Sequence, residues 1–398
     1  MTTNLRDRLA LDRRALLKRA LTAATAFSTA GLLAPAMRSA LAAEGTINFA
    51  DVGVSDPGGD WSKFTNATGW DVNLVAIGNA PAQVLNVLIA GGGRGVYDLM
   101  GIVGGMQKPL VENDLVLPVD TGRLKNWAGQ TNIKRYMLDD PAGFAFCGWK
   151  GKIYMVPTFI QGDSIGYLPE FTGKVDSYGA LFDPKFRGFT AVEDNFTTTG
   201  QKTALYLKKN GLATIEDPSN MTPSEVKTVI DFLVEKKKEG QFRLIWTSFE
   251  QSVNLFVNKE VYVQDCWEPM VFAARRQGVK AEYARPKEGY LLWSLGPYIV
   301  NNPKRTPEHE EAMYRLIDFM LGPWYGAKIT LLRGYLTTPY AAEYAREHAD
   351  EFTAKEAAEI ARIQANVKSK FEIPGTWQQR WPTHVDVYEE EWARFRAA

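Results

Sequence analysis

The residues of this chain suited to covalent or metal chemistry are few: three histidines (His309, His348, His384), two cysteines (Cys147, Cys266) and one G-x-S-x-G, Gly162-Asp163-Ser164-Ile165-Gly166, in 398 residues. Such a serine becomes a nucleophile when it sits on a tight strand-to-helix turn, with a base and an orienting acid later in the chain. Tyr167-Leu168-Pro169 is a poor helix start, and the histidines fall in helical or tail context. A strand crossing between two domains accounts for the same residues; a secreted serine hydrolase using Ser164 is the alternative reading. No HExxH, zinc-type CxxC or EF-hand spacing occurs, so neither a metal nor a cofactor is expected. Two cysteines exclude a disulfide scaffold, and whether they pair or stay as buried thiols is open at this level. Gly91-Gly92-Gly93-Arg94-Gly95 resembles a phosphate loop but follows a helix instead of opening one, and so reads as a flexible connection.

Binding chemistry is better supplied. The chain holds 11 Trp, 16 Tyr and 20 Phe, and several tryptophans stand near acids or at strand ends: Trp246, Trp267 in Asp265-Cys266-Trp267-Glu268, and Trp293. Rings so placed can cage an organic cation, each contributing on the order of 0.5–2 kcal/mol by cation–π attraction. Core packing is the competing role for any one of them.

These residues need a scaffold, and the hydropathy pattern supplies one. Thr46–Ala50, Trp70–Val75 and Tyr97–Ile102 read as strands separated by helices opening at Trp61 and spanning Ala80–Ala90. Such alternation predicts an α/β layered domain with a mostly parallel sheet. Gly151–Pro157 reads as strand-like. A second α/β set follows, with helices near 199–209, 224–238, 248–258 and 271–277, strands at Val261–Gln264 and Leu291–Val300, an amphipathic helix at Glu308–Leu321, a last clear helix over 355–366, and an irregular aromatic tail. A single core stops growing near roughly 250–300 residues, so two domains are expected.

Composition narrows the function classes. Lys+Arg and Asp+Glu both number 46, giving a net charge of zero with 45% hydrophobic residues, which argues against disorder and against nucleic-acid binding through bulk charge. The balance hides an asymmetry: residues 1–42 carry seven basic and two acidic residues, a local +5 that leaves −5 for the rest. Arg13-Arg14-Ala15-Leu16-Leu17-Lys18, a mildly apolar run from Ala20 to Ala36, and Ala40-Leu41-Ala42 follow the order of a twin-arginine export signal. The run is short and hydroxyl-rich against the roughly 20 apolar residues a span requires, and no later segment is longer, so a periplasmic protein is expected.

The stretch Val261–Pro269, the helix Phe272–Gly278, Pro286-Lys287-Glu288-Gly289 and Trp293 resemble the periplasmic spermidine/putrescine-binding proteins, solute receptors of polyamine ABC importers. The similarity continues through Ile317–Leu321, Gly334–Pro339, Trp377-Gln378-Gln379, Tyr388 and Trp392–Phe395, and earlier through Tyr97-Asp98-Leu99 and Gly151–Pro157. It implies a monomeric, non-enzymatic receptor with a two-lobed periplasmic-binding-protein fold, each lobe a mixed sheet flanked by helices. The solute lies in the interlobe cleft and an ABC permease is the partner. The implied lobes are 43–156 plus 292–338 and 157–291 plus 339–398, with crossovers near Val156-Pro157, Gly289–Trp293 and Pro339.

By the same resemblance Trp267, Trp293 and Tyr335 fall on cage positions and Asp194 on an amine-binding acid, with Glu268, Asp163 and Trp246 as neighbouring ligand contacts. Three expected polar positions are lost, to Leu295, Thr197 and Val103-Gly104-Gly105. A buried ammonium without a counter-charge is costly, so the solute should be smaller or less charged than spermidine. Receptors of this fold for anionic or metal-chelate solutes remain a third class.

Overall fold

The computed structural model describes residues 45–398, so the expected export signal at 1–42 lies outside the described residues. Two sheets share one plan. In the first, Thr46–Asp51 lies between Asp71–Ala76 and Leu99–Val103, all parallel. The long strand Leu291–Val300 then adds antiparallel to Leu99–Val103 and also carries Phe159–Asp163, Val116–Leu117 and Thr376–Trp377. In the second, Thr190–Glu193 lies parallel between Phe242–Trp246 and Val263–Asp265, and Ile165–Tyr167 adds antiparallel, followed by Glu282–Tyr283. Each sheet is therefore three parallel strands closed by an antiparallel one, mixed as expected. Leu291–Val300 is buried at every residue, because helices cover both faces of its sheet.

Helices start where the sequence offers caps. Thr222 accepts from the Glu225 amide while Glu225 Oε2 accepts from the Thr222 amide, opening Pro223–Lys238; Thr353 and Glu356 repeat the device at Ala354–Phe371. Gly151–Pro157 is less regular than its pattern: only Lys152–Ile153 forms a strand, in a hairpin with Gly148–Trp149. The tail is more regular than expected. Val385–Ala397 is a helix whose Tyr388, Trp392 and Phe395 are buried in the second lobe's core.

The lobe division also differs from the expected one. Phe159 and Ile160, and after Pro339 the residues Ala341, Phe352, Ile360, Val367 and Trp377, belong to the first lobe's core. The first two lie on a strand that pairs along Leu291–Leu295, and the helices around 341–371 cover that same sheet. The chain therefore crosses at Ser164, between strands of different sheets, then at Gly289-Tyr290, and last after Trp377, where Gln378 donates to the Thr197 carbonyl of the second lobe at 2.7 Å. Cys147 and Cys266 are free, buried thiols in separate apolar clusters. Among the described residues no helix is long and apolar enough to cross a membrane.

Candidate functional site

In open α/β sheets the ligand crevice lies beyond the carboxyl ends of the strands. Here those ends are Asp51, Ala76 and Val103 in the first lobe and Glu193, Trp246 and Asp265 in the second. Eight nearly buried charged side chains lie at or near these ends: Asp51, whose Oδ1 accepts from the Gly53, Val54 and Ser55 amides of its own loop, and Asp163, Glu193, Asp265, Glu268, Lys202, Lys370 and Arg380 along the seam between them.

Two acids are already answered. Lys202 Nζ sits 2.5 Å from Asp265 Oδ1, and Thr199 Oγ1 donates to Asp265 Oδ2 at 2.6 Å. Burial works against the Lys202 charge, but Asp265, with Asp163 beyond it, outweighs burial and holds the ammonium above its ordinary value. Lys370 Nζ lies 2.9 Å from Glu268 Oε2 and donates to Gln161 Oε1 at 2.8 Å and to the Gly162 carbonyl at 3.0 Å. It also stands 4.9 Å from the Tyr283 ring and 5.3 Å from the Tyr290 ring. An aromatic cage with a carboxylate is thus present in this protein, and a lysine of its own chain fills it.

The other seam acids are unanswered. Glu193 ends its strand with Oε2 accepting from Trp267 Nε1 at 3.0 Å, and burial, then the charge of Asp265, push its carboxyl up to about 7. Asp163 is raised mainly by burial, with Lys202 pulling the other way, and its Oδ1 accepts from Tyr283 Oη at 3.3 Å.

The aromatic positions separate by role. Trp293 and Tyr335 meet edge-on at 5.2 Å, and Phe159 stacks on Tyr335 at 4.6 Å, so these rings form one buried group in the first lobe. Trp267 is half-buried beside Glu193 and meets Trp246 edge-on at 6.0 Å. Trp246, 2% exposed, donates from Nε1 to the Asp265 carbonyl at 2.7 Å and is a core residue that fixes that strand end.

Two further expected contacts are placed elsewhere. Asp194 accepts from Trp392 Nε1 at 2.8 Å and stands 3.8 Å from Arg396, so it ties down the C-terminal helix, while its neighbour Glu193 takes the seam. Side chains alternate across a strand, and a one-residue offset exchanges the faces. Glu268, expected as a replacement acid, is held by Lys370.

Sequence reasoning missed Glu193, Asp265, Lys202, Lys370 and Arg380. Only Glu193 and Asp265 carried a signal, as acids ending apolar strands; both lysines sit on helices and look like surface charge in one dimension. The glycines at 104 and 105 have a physical role. A Cβ on Gly104 would stand 2.0 Å from the Phe146 carbonyl, and Gly105 holds φ of 79° against the Arg380 backbone. Small residues let the tail close onto this loop.

Ser164 is no nucleophile elbow. It links two strands, its Oγ is buried without a partner, and its amide donates to Tyr283 Oη at 2.7 Å. The histidines are occupied away from it: His309 beside Thr306 and Trp70, His348 stacked on Tyr344, and His384 at the start of the last helix. Among the described residues no group of three His, Cys, Asp or Glu side chains is placed to hold a metal.

The bacterial extracellular solute-binding protein family matches residues 61–360. The spermidine/putrescine-binding periplasmic protein 1 of Haemophilus influenzae is 23% identical over 253 residues, 63% of this chain and 63% of that protein, slightly under two thirds of its length. Among solved structures, the spermidine/putrescine ABC transporter substrate-binding protein of Streptococcus pneumoniae superposes with a TM-score of 0.64 at 16% identity, covering 88% of this chain and 98% of that one. A binding protein of Agrobacterium tumefaciens in complex with glucopine gives 0.65 at 16% identity, covering 88% and 99%. At these identities the structures establish a shared two-lobed fold.

Proposed function

The chain belongs to the bacterial extracellular solute-binding protein family, and we propose that it captures a small organic solute with a single cationic group and delivers it to an ABC permease. The observation that carries this reading is the self-neutralised seam. Lys202 and Lys370 occupy Asp265 and Glu268, leaving Glu193 and Asp163 to receive one ammonium beside Trp267. The cations Lys202, Lys370 and Arg380 offset all but one of the charges of Asp163, Glu193, Asp265 and Glu268, so a polyamine would bring more positive charge than the seam can match, at a cost of several kcal/mol for each buried, unmatched charge. The arginine pair and small-residue end of residues 1–42 support export by the twin-arginine route, and a monomer that closes its lobes around the solute is the working form.

Calorimetric titration with spermidine, putrescine and a series of monoamines tests the reading. Monoamine-bearing solutes should bind and spermidine should not; tight spermidine binding overturns it. Trp267→Ala should weaken binding about tenfold or more with the circular dichroism spectrum unchanged, since ring and carboxylate act together there.

A further inference from the structure

After the two lysine–carboxylate pairs are set aside, one cation in the seam has no acid. Arg380 is 1% exposed, and among the described residues no carboxylate lies within ion-pair distance of it. Its Nη1 donates to Thr197 Oγ1 at 2.9 Å, its Nη2 to the Asn79 carbonyl, and its Nε has no partner. Asn79 follows a first-lobe strand and Thr197 follows a second-lobe strand, so the guanidinium spans the seam where both sets of strand ends meet. Thr197 is also the position at which the resemblance to polyamine receptors leads one to expect an acid. The chain has lost a carboxylate there and set a guanidinium on the spot.

Burial pulls the Arg380 guanidinium down to about 10, with the charge of Glu193 acting in the other direction. The two opposite charges therefore sense each other without forming an ion pair. Two unmatched buried charges of opposite sign, held apart in one seam, each carry a desolvation cost that a single ligand with complementary ends removes. A guanidinium presents a planar fork of donors that fits a carboxylate, and charge-assisted hydrogen bonds of this kind are among the strongest in proteins.

We infer that the solute is a zwitterion, an amino carboxylate whose carboxylate is bound by Arg380 and whose ammonium faces Glu193 and Trp267. This rests on the receptor reading above and adds the anionic end. The same chemistry accounts for the failure of the seam to offer a polyamine its second and third acids: part of the site is built for the opposite sign.

Titration of the exported form with three- to six-carbon ω-amino carboxylates, set against the matching alkylamines and alkanoates, tests it. At least one amino carboxylate should bind about 30-fold more tightly than its amine, since hydrogen bonds to charged groups contribute about 1.5–3 kcal/mol. Arg380→Gln should abolish that advantage by weakening the amino carboxylate without weakening the amine, since a cation is removed from beside the ammonium site, and Arg380→Lys should restore part of it. An amine that binds as tightly as its amino carboxylate, or an Arg380→Gln variant that weakens both equally, overturns the zwitterion and leaves the cation receptor standing. Binding of no amine and no amino carboxylate overturns both.

Discussion

Lys370 and Arg380 lie close together in the last stretch of the chain, both nearly wholly buried at the seam between the lobes, yet their surroundings differ in kind. Lys370 is enclosed by Glu268, Gln161, the Gly162 carbonyl and two tyrosine rings. Arg380 rests on a threonine hydroxyl and a backbone carbonyl, with one nitrogen unused. Both charges were removed from water, and only one was compensated within the chain. The compensated charge holds the fold, and the uncompensated one is the group to which the carboxylate of the proposed zwitterion binds.

Glu268→Ala breaks the comparison most sharply. It strands the Lys370 ammonium in a dry cage and should cost about 3–5 kcal/mol in urea denaturation, while Glu268→Met combined with Lys370→Met should be near neutral. A small loss in the single variant would show that the pair is not structural.

Glu193 gives the next effect. Its carboxyl sits at about 7 in the fold, raised first by burial, above the ordinary carboxylate range. Its contribution to stability is therefore full below the unfolded value, near pH 4.5, and is lost as the pH rises through about 7. Glu193→Gln should match the parent near pH 4 and exceed it near pH 8 by on the order of 1–3 kcal/mol. A pH-independent difference would remove Glu193 from the unmatched set. Ser164 sets the lower end of the scale: its buried hydroxyl is unpaired but neutral, so Ser164→Ala should shift stability by less than about 0.5 kcal/mol and leave solute binding unaltered. Loss of binding would give that serine a role the structure does not show.

The parts of the fold legible in one dimension were those set by local repetition. The strands at 46–51, 71–76, 99–103 and 291–300 and the helices at 223–238 and 307–320 follow from period and capping alone. The helix at 385–397 escaped notice because its aromatics interrupt the usual aliphatic spacing, although Tyr388, Trp392 and Phe395 share one buried face. The lobe boundary after Pro339 could not be read, since nothing local distinguishes a helix that covers one sheet from a helix that covers the other.

In the site, Trp267, Trp293 and Tyr335 were reached by resemblance, and the tertiary structure sets Trp267 beside Glu193 and the other two within one aromatic group. The charged groups divide differently. The sequence by itself determined two α/β units with aromatic strand ends, because periodicity and composition are properties of neighbouring residues, and the receptor reading came only through the resemblance carried by ordered motifs. Which acids were free was decided only in three dimensions. Glu268 meets Lys370 and Asp265 meets Lys202 across long stretches of chain, and the sign and availability of a buried charge depend on what lies within a few ångströms in space.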